Sequence, residues 1–323
     1  MAPRSPESSW SDWRPVPGWN PSPAVLAETL DGGQSFRWSS HSTATTGVGM
    51  ETDAHLVWHG TWSDSFVQIR FDAGALQWRG AGSSVGPALP RYLALDTDWA
   101  ALTDSLPWRS DAHLARCIAA FPGLRILRQP FGETLLGFLC SATKQIVQIK
   151  QMVALLAHRH GSPLASWRAQ LPLGRGSAGA EPSTKNVRQL PTWPELATIP
   201  EQQLRACLLG FRARYIHQTA RYLAARPGWL EETEHLPYPA AKGRLMELPG
   251  VGEKVADCVL LFGAGKLEAF PVDTWVLKSL ARRYGLDGWK PAQVAHFGRT
   301  HFGPLAGLAQ QYLFAWERKF GGR

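Results

Sequence analysis

Residues 248–262 read Leu-Pro-Gly-Val-Gly-Glu-Lys-Val-Ala-Asp-Cys-Val-Leu-Leu-Phe, and this stretch decides the fold. A helix ending near Glu247 meets the turn Pro249-Gly250-Val251-Gly252, and a second helix starts near Glu253. Glycines at 250 and 252 let a partner approach the backbone closely. The first N–H groups of the second helix face outward, unsatisfied and partly positive, and suit a phosphate. The pattern is that of a helix–hairpin–helix, which grips a nucleic-acid backbone without reading bases. The plain alternative is an αα-hairpin with a glycine turn.

Lys254 stands on the first turn of that second helix, where the helix field favours acids over cations. Such a field, with any desolvation, favours the neutral amine that a nucleophile needs. The same lysine also reads as a phosphate contact or a solvated cation. Downstream, Asp273 of Pro271-Val-Asp-Thr-Trp275 is placed to cap a helix whose Val276, Leu277, Leu280 and Tyr284 form a buried stripe. Capping explains it fully, yet an ionised cap can also stabilise positive charge developing on a sugar.

Further out, the chain changes character. Residues 1–22 are rich in proline and serine and read as an irregular lead-in. From about 23 to 106 short β-like runs dominate: Leu56-Val-Trp-His59, Ser65–Phe71 and Ala75–Arg79, separated by Gly60, Asp72 and Gly74. Helices are expected over 131–142 and 144–160, the second carrying Ile146, Ile149, Val153 and Leu156 and stopping at Gly161. Glycines and Pro182 between 173 and 191 predict an exposed loop inside the helical part. The expected architecture is α+β: a lead-in over 1–22, a small antiparallel β-sheet domain over 23–125, and a larger all-α helix–hairpin–helix domain over 126–323.

With 323 residues, 44% hydrophobic and 19% charged, the chain is too long and apolar for a disordered protein or a disulfide-stapled mini-domain. No run approaches the ~20 apolar residues of a membrane helix, and the N-terminus lacks the apolar stretch of a signal peptide. The four cysteines, Cys117, Cys140, Cys207 and Cys258, are scattered without metal-binding spacing and read as buried thiols in a reducing compartment. Thirty-four Lys and Arg against 26 Asp and Glu give a net charge of +8, which favours a polyanionic partner.

Leu-Pro-Gly-Val-Gly-x-Lys followed by Pro-Val-Asp resembles the helix–hairpin–helix–Gly/Pro–Asp DNA glycosylase superfamily. Lys254-Val-Ala-Asp-Cys258 is similar to its 8-oxoguanine DNA glycosylase/AP lyase branch. Gly32-Gly-Gln-Ser-Phe-Arg-Trp38, Gly210-Phe-Arg-Ala-Arg-Tyr215 and Ala306–Phe314 resemble further signatures of that family, in the family's order. The matches run from about residue 24 to 318.

The resemblance implies excision of 8-oxoguanine from duplex DNA after the nucleotide is flipped into a pocket. It implies that Lys254 attacks C1′ and then nicks the strand through a Schiff base, with Asp273 stabilising the charged sugar. Gly33 then supplies a carbonyl for N7–H of the lesion, Cys258 and Phe314 sandwich the base, Gln310 reads its Watson–Crick edge, and Phe138 lines the pocket. Singly, Cys258, Phe314 and Phe138 read as core, and Phe211 as buried. In the family's terms Phe211 is instead an exposed wedge, with Arg212 beside it contacting the orphaned cytosine.

Two departures stand out. Thr143 and Gln148 occupy positions where the family commonly has asparagine and arginine, so the charged fork for the opposite cytosine is missing. Trp275 stands where many relatives have a phosphate-touching histidine. No cofactor is expected. Carbonyls of Met246, Leu248 and Val251 are candidates for a structural cation, as in relatives. The expected partner is double-stranded DNA containing 8-oxoguanine, and the expected state a monomer in a bacterial cytoplasm, or a nucleus if the source is eukaryotic. Competing readings are a glycosylase for another oxidised or alkylated base, and a DNA-binding module that does no chemistry.

Overall fold

The computed structural model describes residues 10–43, 55–81, 85–164 and 187–321. The sheet has five antiparallel strands, β1 (Arg14–Pro15), β2 (Trp38–Thr43), β3 (His55–Trp62), β4 (Ser65–Asp72) and β5 (Ala75–Ala81), in the order β1-β5-β4-β3-β2. Its central hairpin closes at Ala73-Gly74, both at positive φ (48° and 77°), the primed-turn geometry that matches strand twist. One sheet face is tryptophan-rich. Trp38, Trp62 and Trp78 pack with Ile69 and Val67 against Leu26 and Leu30 of α1 (Pro23–Asp31) and Leu89 of α2 (Val85–Tyr92). Trp38 Nε1 donates to Tyr92 Oη, which donates on to Ser35 Oγ, so the buried polar tips of these rings are satisfied.

The remaining helices are α3 (Trp99–Asp104), α4 (Ala112–Ala120), α5 (Phe131–Leu139), α6 (Ile146–His160), α7 (Trp193–Thr198), α8 (Glu201–Leu204), α9 (Arg212–Ala224) and α10 (Trp229–His235). They continue as α11 (Tyr238–Leu245), α12 (Glu253–Phe262), α13 (Thr274–Tyr284), α14 (Pro291–Phe302) and α15 (Ala306–Phe320). α5 and α12 cross at the centre of the main core, where every residue from Val255 to Phe262 is buried. Among the described residues no helix is long and apolar enough to cross a membrane.

Four features depart from the sequence-based expectation. The lead-in is not wholly irregular, because Arg14 and Pro15 pair with Trp78 and Gln77 and bury Val16 and Trp19. Proline at this edge costs no ladder bond. The expected boundary near 125 divides elements that share a core, since Leu114, Cys117 and Phe121 pack with Leu308 and Tyr312 of α15. Of the loop expected at 173–191, residues 173–186 lie outside the described residues. Residues 187–191 are not exposed: Val187 O and Gln189 N bond to Leu164 and Ser162, and Leu190 is buried. α5 also ends at Leu139, short of 142, and Thr143 turns the chain at φ 56°.

Candidate active site

The hairpin joins α11 to α12. Gly250 has φ +81°, and a Cβ there would stand 2.7 Å from Tyr215 Cγ, so both conformation and the packing of α9 demand glycine. Thr219 Oγ1 donates to the Pro249 carbonyl at 3.2 Å, a second tie from α9. Gly252 precedes α12 with no side-chain cap and open space around it, leaving the first N–H groups of the helix facing outward. Behind the hairpin, Asp257 is 1% exposed, accepts from Tyr238 Oη at 2.8 Å and pairs with Lys242 at 3.0 Å, locking α11 onto α12. Burial raises the Asp257 carboxyl, while Lys242 and Tyr238 pull it back down.

Lys254 is half-buried on the first turn of α12. Its Nζ donates to Ser141 Oγ at 3.1 Å and lies 5.1 Å from the centroid of the Phe138 ring. Ser141 gives its own proton to the Phe138 carbonyl at 2.7 Å, so a lone pair of the hydroxyl faces the amine. One turn along, the Cys258 thiol is free and buried, and burial pushes it up to about 12 against the pull of Lys254, so it stays neutral. Asp273 Oδ1 accepts from the backbone N–H groups of Trp275 (3.0 Å) and Val276 (2.8 Å), capping α13. Burial lifts the Asp273 carboxyl above the ordinary range, opposed by those bonds and by the charge of Lys254. Cap and electrostatic neighbour of the lysine are thus one group.

Gly33 lies at φ +106°, and a Cβ there would meet Ile146 Cδ1 at 3.1 Å and Phe314 Cε1 at 3.7 Å. The segment is tethered on three sides. Asp31 pairs with Lys150 at 2.6 Å, the Gly32 carbonyl accepts from Arg318 at 2.6 Å, and the Gln34 amide bonds the backbone of Arg125 and Leu127, both at 2.9 Å. Phe138 sits in the core between Phe36 and Phe262. Gln310 is 3% exposed and accepts from Gln311 Nε2 at 2.8 Å, and Phe314 is half-buried under Arg318. The structure therefore sets Gly33 against Phe314, and Phe138, Cys258 and Asp273 around Lys254. A cleft of 1110 Å³ opens at the other end of α5, lined by Phe131, Trp193, Trp229 and Arg226. None of the expected site residues lines it.

The expected exposed Phe-Arg pair is corrected in one half. Phe211 is 51% exposed, but Arg212 is 3% exposed. Its guanidinium is turned inward, donating to the carbonyls of Leu209 (3.2 Å) and Ala142 and to Thr143 Oγ1 (2.9 Å). An arginine with unmet carbonyls in reach is more stable bonded than projecting into water from a buried stem. Phe211, read as buried without the family, stands out instead. Thr143 and Gln148 are exposed; Gln148 Oε1 caps α6 through the Gln145 N–H at 3.2 Å. Trp275 is also exposed, on the first turn of α13. Of the three cation-candidate carbonyls, that of Leu248 also accepts from Val251 N at 3.1 Å. Among the described residues no group of three or more His, Cys, Asp or Glu is placed to hold a metal.

Sequence reasoning missed Ser141, Ile146 and Asp257. Ser141 meets Lys254 across 113 positions, a separation that no periodicity reports. A buried acid two helical positions before the apolar run of α12 was the available signal for Asp257.

Residues 19–135 match the family model for the 8-oxoguanine DNA glycosylase N-terminal domain, and residues 140–300 that of the HhH-GPD superfamily of base excision DNA repair proteins. The chain is similar to the N-glycosylase/DNA lyase of Saccharomyces cerevisiae, 30% identical over 288 residues, covering 84% of this chain and 71% of that one. It is 29% identical over 312 residues to N-glycosylase/DNA lyase OGG1 of Arabidopsis thaliana, covering 91% and 77%. Among solved structures, the Clostridium acetobutylicum 8-oxoguanine glycosylase/lyase, in complex with double-stranded DNA containing cytosine opposite 8-oxoguanine, superposes with a TM-score of 0.75. It is 28% identical, with 92% of each chain covered.

Proposed function

The chain belongs to the 8-oxoguanine DNA glycosylase/lyase family of helix–hairpin–helix base-excision repair proteins, and from that premise we propose how its own residues do the work. It excises 8-oxoguanine from duplex DNA and nicks the strand. The observation that carries the reading is Lys254: an amine, half-buried at an uncapped helix start, held by Ser141 and neighboured by the Asp273 carboxylate.

In this reading the hairpin N–H groups near Gly250 and Gly252 hold a phosphate, and the nucleotide turns out of the stack towards Lys254. The neutral amine attacks C1′, and the C1′–N bond breaks with its electron pair leaving on the base. The ionised Asp273 opposes the positive charge that grows on the sugar. Ring opening gives an iminium on Lys254, loss of a C2′ proton expels the 3′ phosphate, and water returns the lysine. The Gly33 carbonyl accepts from N7–H of the oxidised base. Guanine has a lone pair at N7 instead, which makes that single contact worth about 1–3 kcal/mol of discrimination. Phe138, Cys258, Gln310 and Phe314 enclose the base, and Phe211 fills the space it leaves. Thr143 and Gln148 face the opposite strand, which Arg212 reaches only by giving up its carbonyl bonds. The carbonyls of Met246, Leu248 and Val251 are hard oxygen donors and fit a monovalent or divalent cation that would stiffen the hairpin. Four free, buried cysteines suit a reducing compartment such as a bacterial cytoplasm.

Borohydride trapping on a duplex carrying one 8-oxoguanine opposite cytosine tests this reading. A covalent adduct with the parent protein and none with Lys254→Gln is expected. A protein that binds the duplex but yields no adduct and releases no base would sink it.

A further inference from the structure

The turn that enters α9 is strained. Leu208 has φ 64° and ψ 14°, a left-handed conformation that a bulky side chain rarely adopts. Among the described residues five non-glycines have positive φ, and Ser63, Ala73 and Ala94 are small. Leu208 is the large apolar one, and 53% of it is exposed, although Cys207 and Leu209 on either side are fully buried. A leucine here is therefore unfavourable twice in the free protein, through its backbone and through its hydration. Glycine would avoid both.

The strain is held in place from behind. Arg212 bonds the Leu209 carbonyl, the Ala142 carbonyl and Thr143 Oγ1, joining this turn to the loop in which Thr143 is itself left-handed at φ 56°. The Phe211 ring lies over the same guanidinium, 4.4 Å from its carbon, and meets Tyr215 edge-on. Tyr215 in turn packs on Gly250, so the strained turn and the phosphate-gripping hairpin form one continuous face. Two exposed apolar side chains, Leu208 and Phe211, stand three positions apart on this braced turn.

We propose that Leu208 is a second wedge. Resting on the functional reading above, Phe211 occupies the stack vacated by the flipped nucleotide, and Leu208 presses between the adjoining bases. Arg212 is a positioning residue that fixes both wedges from behind. Apolar side chains driven into a base step unstack it and kink the duplex, which favours extrusion of a nucleotide. The strain then persists because the leucine is used in the complex and not in the free fold.

The test compares Leu208→Gly, Leu208→Ala and Leu208→Met with the parent. Melting temperature, affinity for a duplex holding a tetrahydrofuran abasic analogue opposite cytosine, and single-turnover excision of 8-oxoguanine are measured for each. The glycine variant should melt above the parent, because it relieves the left-handed strain. The glycine and alanine variants should bind the analogue duplex about five-fold or more weakly and excise proportionately more slowly, with methionine restoring most of both. A glycine variant that binds and excises like the parent overturns the proposal, and so does one that melts below it. Failure of the functional reading shows separately, as absence of excision by the parent. The analogue duplex still reports the wedge in that case, since its binding needs no chemistry.

Discussion

The side chains proposed to face the base opposite the lesion carry no charged fork. A guanidinium fork could read cytosine through two charge-assisted bonds, but Gln148 offers one neutral amide, and its oxygen already caps α6. Thr143 is exposed with its hydroxyl taken by Arg212, which is itself turned inward. We therefore expect weaker preference for cytosine opposite the lesion than in the yeast N-glycosylase/DNA lyase assayed alongside. Single-turnover excision with each of the four opposite bases measures this, and Gln148→Arg should sharpen it. Equal or stricter discrimination by the parent would contradict the expectation. The sequence showed both departures, and Lys254 and Asp273 were legible because their motif is local. The inward turn of Arg212 was not, since it depends on carbonyls at 142 and 209 that only the folded chain brings together.

At the scale of elements, α4 and α15 meet through His113. The ring is 6% exposed, edge-on to Trp316 at 5.0 Å, and its Nδ1 has no partner. Burial, with Arg283 and Arg116 nearby, lowers its pKa to about 4. In the unfolded chain the same ring takes a proton near ~6.5. Below that pH the unfolded state binds more protons, so the contribution of the neutral ring, present above ~6.5, is lost as pH falls towards 4. His113→Phe keeps the ring contacts and removes the titration. Urea unfolding should show a smaller loss of stability between pH 6.5 and 4.5 in that variant, and an unchanged loss would mean that His113 is not the titrating group. The helical stripes of α6 and α13 and three of the five strands were readable from period and turn residues. β1 and β2 were not, because a two-residue strand and the polar run Trp38–Thr43 have too little pattern and owe their shape to the neighbours they pair with.

Across the whole molecule, the sheet and the helical part are joined at Glu133. Its carboxylate accepts from Ser63 N at 2.7 Å, in the turn between β3 and β4, and its charge faces the half-buried Arg37. Burial raises this carboxyl and Arg37 opposes the rise. Glu133→Ala leaves that N–H and that cation short of a partner and should cost about 1–2 kcal/mol of stability, measured by urea unfolding. No change would show that the two parts hold together without it. Because Glu133 stands on the first turn of α5, which ends beside Ser141, loosening it should also slow excision. By itself, the sequence determined the class of fold and the hairpin, since periodicity, turn residues and the Pro249–Gly252 turn are local patterns whose physics admits few alternatives. The tertiary structure alone decided the rest: Ser141 as the partner of Lys254, Gly33 against Ile146 and Phe314, Arg212 folded inward, and a leucine held in a glycine's conformation. These depend on contacts between distant segments, and no local preference carries information about where the chain will bring them.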